Sequence, residues 1–339
     1  MSITVSDPFN AVADREMPAL ALALDSERAR KEFKRRLPRL SGEGRLRLQT
    51  IRVVRHKPGK RCLVEYDVNI VRPDAPTESA TLIGKMRARR FGNEGYRLLD
   101  EFWRAGFDDK SADGISVPEP IGVIPKLQMW FQRKIPGATA TELLLQPNAT
   151  LLAARIAEAI FKVHQAKVAT ERTHTLADEL SILKTCLGKV QEAEPQWDSR
   201  LGKILQACDA LAATHPDLPK CGSHRDFYPA QVISDGARIY LIDFDLYCSG
   251  DVGLDVGNFL GHLTEQSFRT FGNASALAEV ERALENRFVE LSGESSRASV
   301  KIYATLTLVR HIFLSTQYPD RRKTTEALIK LCEEKLGIS

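Results

Sequence analysis

The sequence predicts an α+β protein in two parts, a strand-rich N-terminal part and a mainly helical C-terminal part. Apolar and polar residues alternate over residues 48–71, around the turn residues Pro58 and Gly59, as they do in a β-hairpin. After Pro136 and Gly137, apolar residues recur mostly at helical spacing. The length of 339 residues exceeds that of a usual single domain, which favours two lobes or two domains.

The N-terminal part is predicted to be rich in strands, with an amphipathic helix before them and one helix among them. In chain order its elements are an amphipathic helix (19–37), the hairpin (48–71), a third strand (80–89), a helix (93–105) and two strands within 117–137. Asn93 stands where its side chain could cap the first turn of the second helix.

The C-terminal part is predicted to be helical with one exception. The predicted helices span 139–166, 176–192, 196–214, 275–291 and 298–317. Within residues 220–263, two short apolar runs, AQVI and RIYLIDF, flank Asp235 and Gly236 and predict a small hairpin. This exceptional segment is also the richest in side chains that carry chemistry.

Composition excludes several classes of protein. Of all residues, 43% are apolar and 27% are charged, and no run reaches the roughly 18 apolar residues of a membrane span. The N-terminus does not resemble a secretory signal, so we expect a cytoplasmic protein. The six cysteines form no CxxC pair, which favours reduced thiols over disulfides or a zinc site.

The charge pattern gives little support to nucleic-acid binding. The formal net charge is only +4, and the densest basic run, residues 28–40, has helical spacing that places its charges on a solvated helix face. No base-reading or stacking element accompanies this run. We therefore expect no nucleic-acid partner and no membrane.

Residues 224–243 combine the groups that phosphoryl transfer to a hydroxyl requires. This reaction needs a carboxylate near the acceptor proton and oxygen ligands for magnesium on the phosphates. Asp226 opens a loop, Gln231 begins the first hairpin strand and Asp243 ends the second. Because a tight hairpin returns the chain on itself, the three side chains are predicted to converge at one end of it.

Three ordered motifs in this region resemble the aminoglycoside phosphotransferase and choline kinase family. SHRDFYPAQVI resembles the HxDxxxxN catalytic loop of that family, IDFD its magnesium-binding segment and GDVGLDVGNFL the stretch that follows. Upstream, RHKPGKRCLVEY is similar to the phosphate-covering hairpin and QRKIPG to the hinge. The resemblance implies a protein-kinase-like two-lobe fold. Its implied boundaries are an N-terminal lobe over 1–131, a hinge over 132–137 and a helical lobe over 138–339.

The resemblance also implies roles for individual residues. Asp226 corresponds to the catalytic base or hydroxyl-orienting residue, and Asp243 to the principal magnesium ligand. Lys85 corresponds to the cation on the α and β phosphates. Its helix partner is Glu94 or, if the helix starts differently, Glu101.

The remaining implied residues bind the nucleotide or support the loop. Gly59 and Lys60 are predicted to cover phosphates, and Gln132 at the start of the hinge to contact the nucleotide. His224 and Asp255 are read as structural supports, with Asp255 accepting backbone amides of the loop. Gln231 stands where the family has a metal-binding Asn. The exchange keeps a carbonyl oxygen but lengthens the side chain by one methylene, and magnesium requires nearly octahedral geometry.

The resulting hypothesis is a phosphotransferase that uses ATP or GTP with Mg²⁺ and acts on a hydroxyl of a small molecule. Only about a dozen residues separate Asp243 from Asp255, too few for the peptide platform of protein kinases. Sugars, aminoglycosides, amino alcohols and nucleosides all stay open as acceptors, as does the oligomeric state. The alternative is an inactive kinase-like protein that binds nucleotide or a partner, which the exchange at Gln231 keeps open.

Overall fold

The chain divides into two units, Met1–Pro136 and Gly137–Ser339. Alternating apolar and polar residues form the strands of the first unit. The structure, a computed structural model, describes residues 3–37, 40, 42, 44–73, 75–88 and 91–338. Six strands of the first unit form one sheet in the order β1-β2-β3-β4-β7-β6. These strands are β1 (Thr4–Ser6), β2 (Arg45–Lys57), β3 (Arg61–Val71), β4 (Glu78–Arg87), β6 (Pro120–Ile124) and β7 (Met129–Arg133), and a short β5 (Ile115–Ser116) precedes β6.

The predicted hairpin over 48–71 is confirmed. Strands β2 and β3 pair antiparallel across the turn formed by residues 58–60. The predicted third strand, 80–89, corresponds to β4, although its last residue, Arg89, lies outside the described residues. The core of this unit includes the rings of Phe33, Tyr66 and Phe131, whose centroids lie 4.9 to 5.7 Å apart.

The helix predicted over 19–37 is divided in two, α1 (Leu20–Ala23) and α2 (Ser26–Arg36). The division falls at Asp25, which has an extended backbone and caps α2 because its Oδ1 accepts the N–H of Arg28 at 2.9 Å. Most basic side chains of α2 are exposed, as predicted for a solvated face, while Phe33 is buried. Pro38 and Arg39, at the end of the basic run, lie outside the described part of the chain. The helix predicted over 93–105 is α3 (Glu94–Phe102).

The second unit is mainly helical, which confirms the predicted α+β class for the chain. Its helices are α4 (Ala140–Leu143), α5 (Ala149–Gln165), α6 (Leu176–Ala193), α7 (Asp198–Ala212), α8 (Leu254–Phe271), α9 (Ala278–Ser292), α10 (Ser296–Gln317), α11 (Pro319–Arg322) and α12 (Thr325–Leu336). The single helix predicted over 139–166 is interrupted before Asn148, which adopts the left-handed conformation at φ 64° immediately after Pro147.

Three glycines bring α8 and α10 into close contact. Gly253, Gly257 and Gly261 recur every four residues and therefore lie on one helical face. A Cβ atom on Gly257 would lie 2.7 Å from the Val300 carbonyl oxygen, and one on Gly261 would lie 2.6 Å from the Thr307 Cβ. Only glycine permits this approach, which sets α8 and α10 side by side along their length.

The hairpin predicted within 220–263 is confirmed as β10 (Val232–Ser234) and β11 (Ile239–Leu241), which pair antiparallel. The short strand β8 (Ala138–Thr139), which sequence patterning missed, adds to β10. Two further short strands pair with each other. They are β9 (Lys220–Ser223), which precedes the hairpin in the chain, and β12 (Cys248–Asp251), which follows it. Such brief strands carry too few residues to show a periodicity.

The cysteines and the apolar segments agree with the composition. All six cysteines are free thiols, and four of them, Cys62, Cys208, Cys248 and Cys332, are buried. Across the described ranges, none of the helices combines the length and the apolar character needed to cross a membrane.

Candidate active site

The loop that carries Asp226 is held by one buried carboxylate. Asp255, in the first turn of α8, accepts the backbone N–H of His224 at 2.9 Å and that of Arg225 at 2.7 Å. Its Oδ2 also lies 2.9 Å from Nε2 of His164 on α5. The backbone of Arg225 is left-handed, with φ 68°, so the two amides turn toward the same carboxylate. Asp226 directly follows this constrained pair.

His224 supports the same loop from inside the protein. Its ring is buried, and Nε2 donates to the carbonyl oxygen of Ile242 at 2.9 Å. The ring lies 4.6 Å from that of Phe244 and 5.8 Å from that of Phe227, measured between centroids. Asn258, one turn after Asp255 on α8, donates from Nδ2 to the carbonyl oxygen of Phe227 at 2.8 Å. The loop is thus held on both sides of Asp226.

Asp226 itself is partly exposed and lines a cavity of about 450 Å³ within the second unit. This volume is that of a site for a small organic molecule. The walls come from the loop and from helices α6, α8, α10 and α11, represented by Tyr228, Glu179, His262, Arg310 and Arg321. We call this cavity the Asp226 pocket.

Gln231 and Asp243 lie together at one end of the β10–β11 hairpin. The N–H of Ile242 donates to the carbonyl oxygen of Gln231 at 3.0 Å, and the next residue pair, Val232 and Leu241, is in register. Asp243 then leaves the strand in the left-handed conformation, with φ 65°. The side-chain amide of Gln231 makes no hydrogen bond to any residue that the structure describes.

The chemistry of this pair fits a magnesium ion. A carboxylate and an amide carbonyl are both oxygen ligands, which Mg²⁺ prefers, and Mg²⁺ commonly keeps several waters and needs few protein ligands. Asp245, two residues beyond Asp243, adds a second carboxylate to the same segment.

The predicted nucleotide residues of the first unit lie on the sheet and the adjoining helix. Lys85 is on β4, and its Nζ lies 4.8 Å from the centre of the Trp130 ring on β7. A Cβ on Gly95 would lie 3.1 Å from the same ring, so Trp130 packs closely against the start of α3. Glu94 is exposed at that start, and Glu101 is exposed two turns further on. Among the described residues, no salt bridge joins Lys85 to either glutamate.

The turn at Gly59 and Lys60 is occupied by a side chain from the N-terminal segment. Oδ2 of Asp14 accepts the N–H of Gly59 at 2.8 Å and lies 2.8 Å from Nε2 of His56. The Gly59 hydrogen bond, with that of His56, lowers the pKa of Asp14 below its ordinary value although burial opposes this. The Gly59 amide is therefore already bonded, whereas Lys60 is exposed. Gln132 is buried within β7, where it pairs with Ile83 of β4.

Sequence reasoning missed three residues of these arrangements. Asn258 could have been found, because its spacing of three from Asp255 places both on one face of α8. His164 and Asp14 carried no such signal: each is separated from its partners by long stretches of chain, 91 residues in the case of His164 and Asp255. Only tertiary packing brings them to the site.

Solved structures resemble this chain over nearly its whole length. A choline/ethanolamine kinase family protein from Mesorhizobium loti aligns over 92% of this chain and 94% of its own, at 18% identity and a TM-score of 0.57. A spectinomycin phosphotransferase, solved with ADP and spectinomycin, covers 92% and 96%, at 11% identity and a TM-score of 0.56. A choline kinase from Cryptosporidium parvum covers 92% and 95%, at 12% identity and a TM-score of 0.56. At these identities the likeness shows the fold, and it confirms the predicted kinase-like architecture.

Comparison of sequences defines the family. No curated protein sequence matches the chain significantly. The model of the phosphotransferase enzyme family, APH, matches residues 96–294, more than half of the chain, including the Asp226 loop and the β10–β11 hairpin. These comparisons confirm the resemblance inferred from the ordered motifs and the predicted class of enzyme, a phosphotransferase with an alcohol group as acceptor. The chain therefore belongs to the phosphotransferase enzyme family.

Proposed function

We propose that this protein transfers the γ-phosphoryl group of ATP to a hydroxyl of a small molecule, in a reaction that depends on Mg²⁺. The observation that carries this proposal is the position of Asp226. Its carboxylate opens on a pocket of about 450 Å³, while Asp255 and His224 hold the loop around it. A partly exposed carboxylate on a loop held by hydrogen bonds, beside a pocket of this size, is suited to orient an acceptor hydroxyl.

In the proposed step, Asp226 accepts the proton of the acceptor hydroxyl as that oxygen bonds to the γ-phosphorus. The bond between the γ-phosphorus and the bridging oxygen breaks, and ADP leaves with the electron pair. Asp243 and Gln231 are proposed to hold Mg²⁺, which supplies positive charge to the phosphate oxygens. Positioning by the loop and electrostatic stabilisation then supply most of the acceleration.

For the nucleotide we propose contacts from the first unit. Lys85, paired with Glu94, would neutralise the α and β phosphates, Lys60 would cover them, and Gln132 would contact the base at the start of a hinge over 132–137. The Gly59 amide would contribute only if Asp14 released it. ATP is favoured over GTP because the spectinomycin phosphotransferase of similar fold was solved with ADP. The lobes proposed on either side of the hinge are 1–131 and 138–339.

The decisive test is a nucleotide consumption assay with Asp226→Asn and a matched control. The control is Asp217→Asn, which removes the same charge from an exposed position outside the pocket. Acceptor-dependent ADP release would be measured over a panel of sugars, aminoglycosides, amino alcohols and nucleosides, with Mg²⁺ and with a chelator. We expect Asp226→Asn to lose about 10²- to 10⁴-fold in kcat with nucleotide affinity little changed, and the control to keep wild-type turnover.

Any of three results would contradict this proposal. Wild-type turnover in Asp226→Asn would remove its role as the base, and full activity with the chelator would remove the role of Mg²⁺. Equal losses in the two variants would show that lost charge, and not the position of Asp226, causes the effect.

A further inference from the structure

The charged residues of the Asp226 pocket are not balanced. Four of its lining residues are arginines and three are carboxylates: Arg225, Arg269, Arg310 and Arg321, against Glu179, Asp226 and Glu265. None of the lining residues that the structure describes is a lysine. One of the three carboxylates is the proposed catalytic base, so the charge available to an acceptor depends on how the two glutamates are paired.

Both glutamates are already engaged by protein cations. Glu179 accepts from Arg310 at 3.2 Å and lies 2.7 Å from Nε2 of His174. Burial raises the pKa of Glu179, but His174, Arg310 and Arg225 together lower it below its ordinary value. Glu179 is therefore ionised at pH 7, and its charge is offset by these neighbours. Glu265 accepts from Nε of Arg269 at 3.0 Å. Neither glutamate is left to bind a cationic acceptor.

Two arginines have no such partner. Arg225 and Arg321 line the pocket, and neither side chain forms a salt bridge within the part of the chain that the structure describes. The charge of Arg225 lies close enough to Glu179 and Asp178 to lower the pKa of both carboxyls, so Arg321 is the less compensated of the two. The guanidinium carbon of Arg321 lies 5.0 Å from the centre of the Tyr318 ring, and its side chain donates no hydrogen bond to any residue in the described ranges. Guanidinium groups in such a position bind carboxylates and phosphates through paired hydrogen bonds.

Two histidines of the same wall are uncharged at pH 7. Nε2 of His311 lies 3.1 Å from Nδ1 of His262, whose ring stacks on that of Tyr228 at 4.8 Å between centroids. Burial, followed by Arg310 and Arg321, lowers the pKa of His262 to about 3. The pKa of His311 is lowered in the same direction by burial, by His262 and by the surrounding arginines. Both rings are therefore neutral at pH 7 and add no charge to the pocket.

We propose that the acceptor is a hydroxy compound that also carries a carboxylate or phosphate group, bound by Arg321 while the hydroxyl lies at Asp226. This inference rests on the proposed function and narrows it. Arg225 adds positive charge next to the reacting hydroxyl. A polycationic aminoglycoside or a quaternary amine would instead place like charges against Arg225 and Arg321 without an unpaired glutamate to offset them.

Binding measured without nucleotide tests this inference independently of turnover. Isothermal titration at constant ionic strength would compare compounds that share a skeleton but differ in charge: D-glucose, D-glucosamine, D-glucuronate and glucose 6-phosphate, and likewise glycerol, ethanolamine, glycerate and glycerol 3-phosphate. We expect the anionic members to bind about 10- to 100-fold more tightly than their neutral partners. Comparing the affinity of the carboxylate member with that of the phosphate member in each set shows which of the two anionic groups the site prefers.

The matched variants are Arg321→Gln and Lys323→Gln. Lys323 is exposed, lies just beyond α11 and does not line the pocket, so its substitution removes one positive charge without touching the site. Arg321→Gln should remove most of the preference for the anionic member, whereas Lys323→Gln should keep it. In turnover assays, Arg321→Gln should raise KM for the anionic acceptor about 10-fold or more and change kcat little.

The outcomes separate this inference from the proposed function. If no anionic compound in either set binds more tightly than its neutral partner, or if both variants behave alike, the inference is wrong. ADP release that favours neutral or cationic acceptors would overturn the inference but keep the phosphotransferase. Selective anion binding that depends on Arg321, with no ADP release for any compound, would keep the anion site and overturn the proposed reaction.

Discussion

Asp255 is the residue on which the geometry of the Asp226 loop depends most directly. It is fully buried and accepts two backbone N–H groups of the loop in addition to its contact with His164. A neutral amide in its place could not accept all of these hydrogen bonds, because one of its two positions would be a donor. One of the two loop amides would then lose its partner.

We therefore expect Asp255→Asn to affect both stability and catalysis. The free energy of unfolding should fall by about 2 to 4 kcal/mol, because a buried, hydrogen-bonded charge is removed from its partners. The value of kcat should fall at least 10-fold at temperatures well below the melting point, since Asp226 is no longer held. Urea denaturation and steady-state kinetics measure the two effects.

His164→Gln is the matched variant for this prediction. It removes one contact of Asp255 but leaves both loop amides bonded, so it should lower stability while keeping most of kcat. If Asp255→Asn kept wild-type kcat, or if both variants lost kcat equally, Asp255 would not position the loop.

At the scale of elements, the glycines of α8 decide how closely α8 and α10 pack. This contact matters for function because the two helices together carry His262, Glu265, Arg310 and His311, four lining residues of the Asp226 pocket. Separating the helices would move these side chains apart. The glycine spacing in GDVGLDVGNFLG is visible in the sequence, but its partner helix is not.

Gly257→Ala should destabilise the protein although alanine favours helices over glycine. The added Cβ would lie 2.7 Å from the Val300 carbonyl oxygen and 2.9 Å from the Ala304 nitrogen, and neither backbone atom can turn aside. Overpacking of this kind costs about 1 to 3 kcal/mol. The free energy of unfolding from urea denaturation measures the loss.

Gly202→Ala on α7 is the control for this substitution. A Cβ there would lie more than 4 Å from every atom of the described residues that could obstruct it, so only helix propensity changes. The free energy of unfolding should therefore rise by up to about 1 kcal/mol. A stabilised Gly257→Ala protein would show that α8 and α10 do not depend on contact at this glycine.

At the scale of the whole molecule, the buried histidine pair links stability to pH. His311 is 2% exposed, and its surroundings include Glu265 and Arg269 on α8 as well as Arg310 and Arg321. Its folded pKa lies well below its ordinary value near 6.5. As the pH falls below about 6.5, the unfolded chain binds a proton that the folded chain does not, so stability decreases with falling pH.

From this linkage we expect His311→Asn to reduce the acid sensitivity of the protein. Between pH 7 and pH 5, the wild-type protein should lose about 2 kcal/mol more unfolding free energy than the variant does. Urea denaturation at several pH values measures this difference. A wild-type protein with the same pH dependence as His311→Asn would mean that His311 titrates normally in the folded state.

Patterns local in the chain predicted the hairpins, the α+β class and the family. The hairpins follow from alternation beside turn residues, and the family follows from three motifs in order around Asp226, Asp243 and Asp255. The helix boundaries were less predictable. The breaks before Ser26 and Ala149 depend on the cap at Asp25 and on the left-handed Asn148, which periodicity over a long window does not detect. The roles of the individual site residues stay predictions.

The sequence by itself therefore determined the class of the protein and the segment where its chemistry lies, because both are written in neighbouring residues. Only the tertiary structure decided which distant side chains reach that segment. His164 joins Asp255 across 91 residues, and Arg310 and Arg321 enter the pocket of Asp226 from the far end of the chain. The physical reason is that local spacing determines which residues share one face of a helix or strand. Which other element packs against that face depends on the packing of the whole unit. The charge of the pocket is a property of that packing.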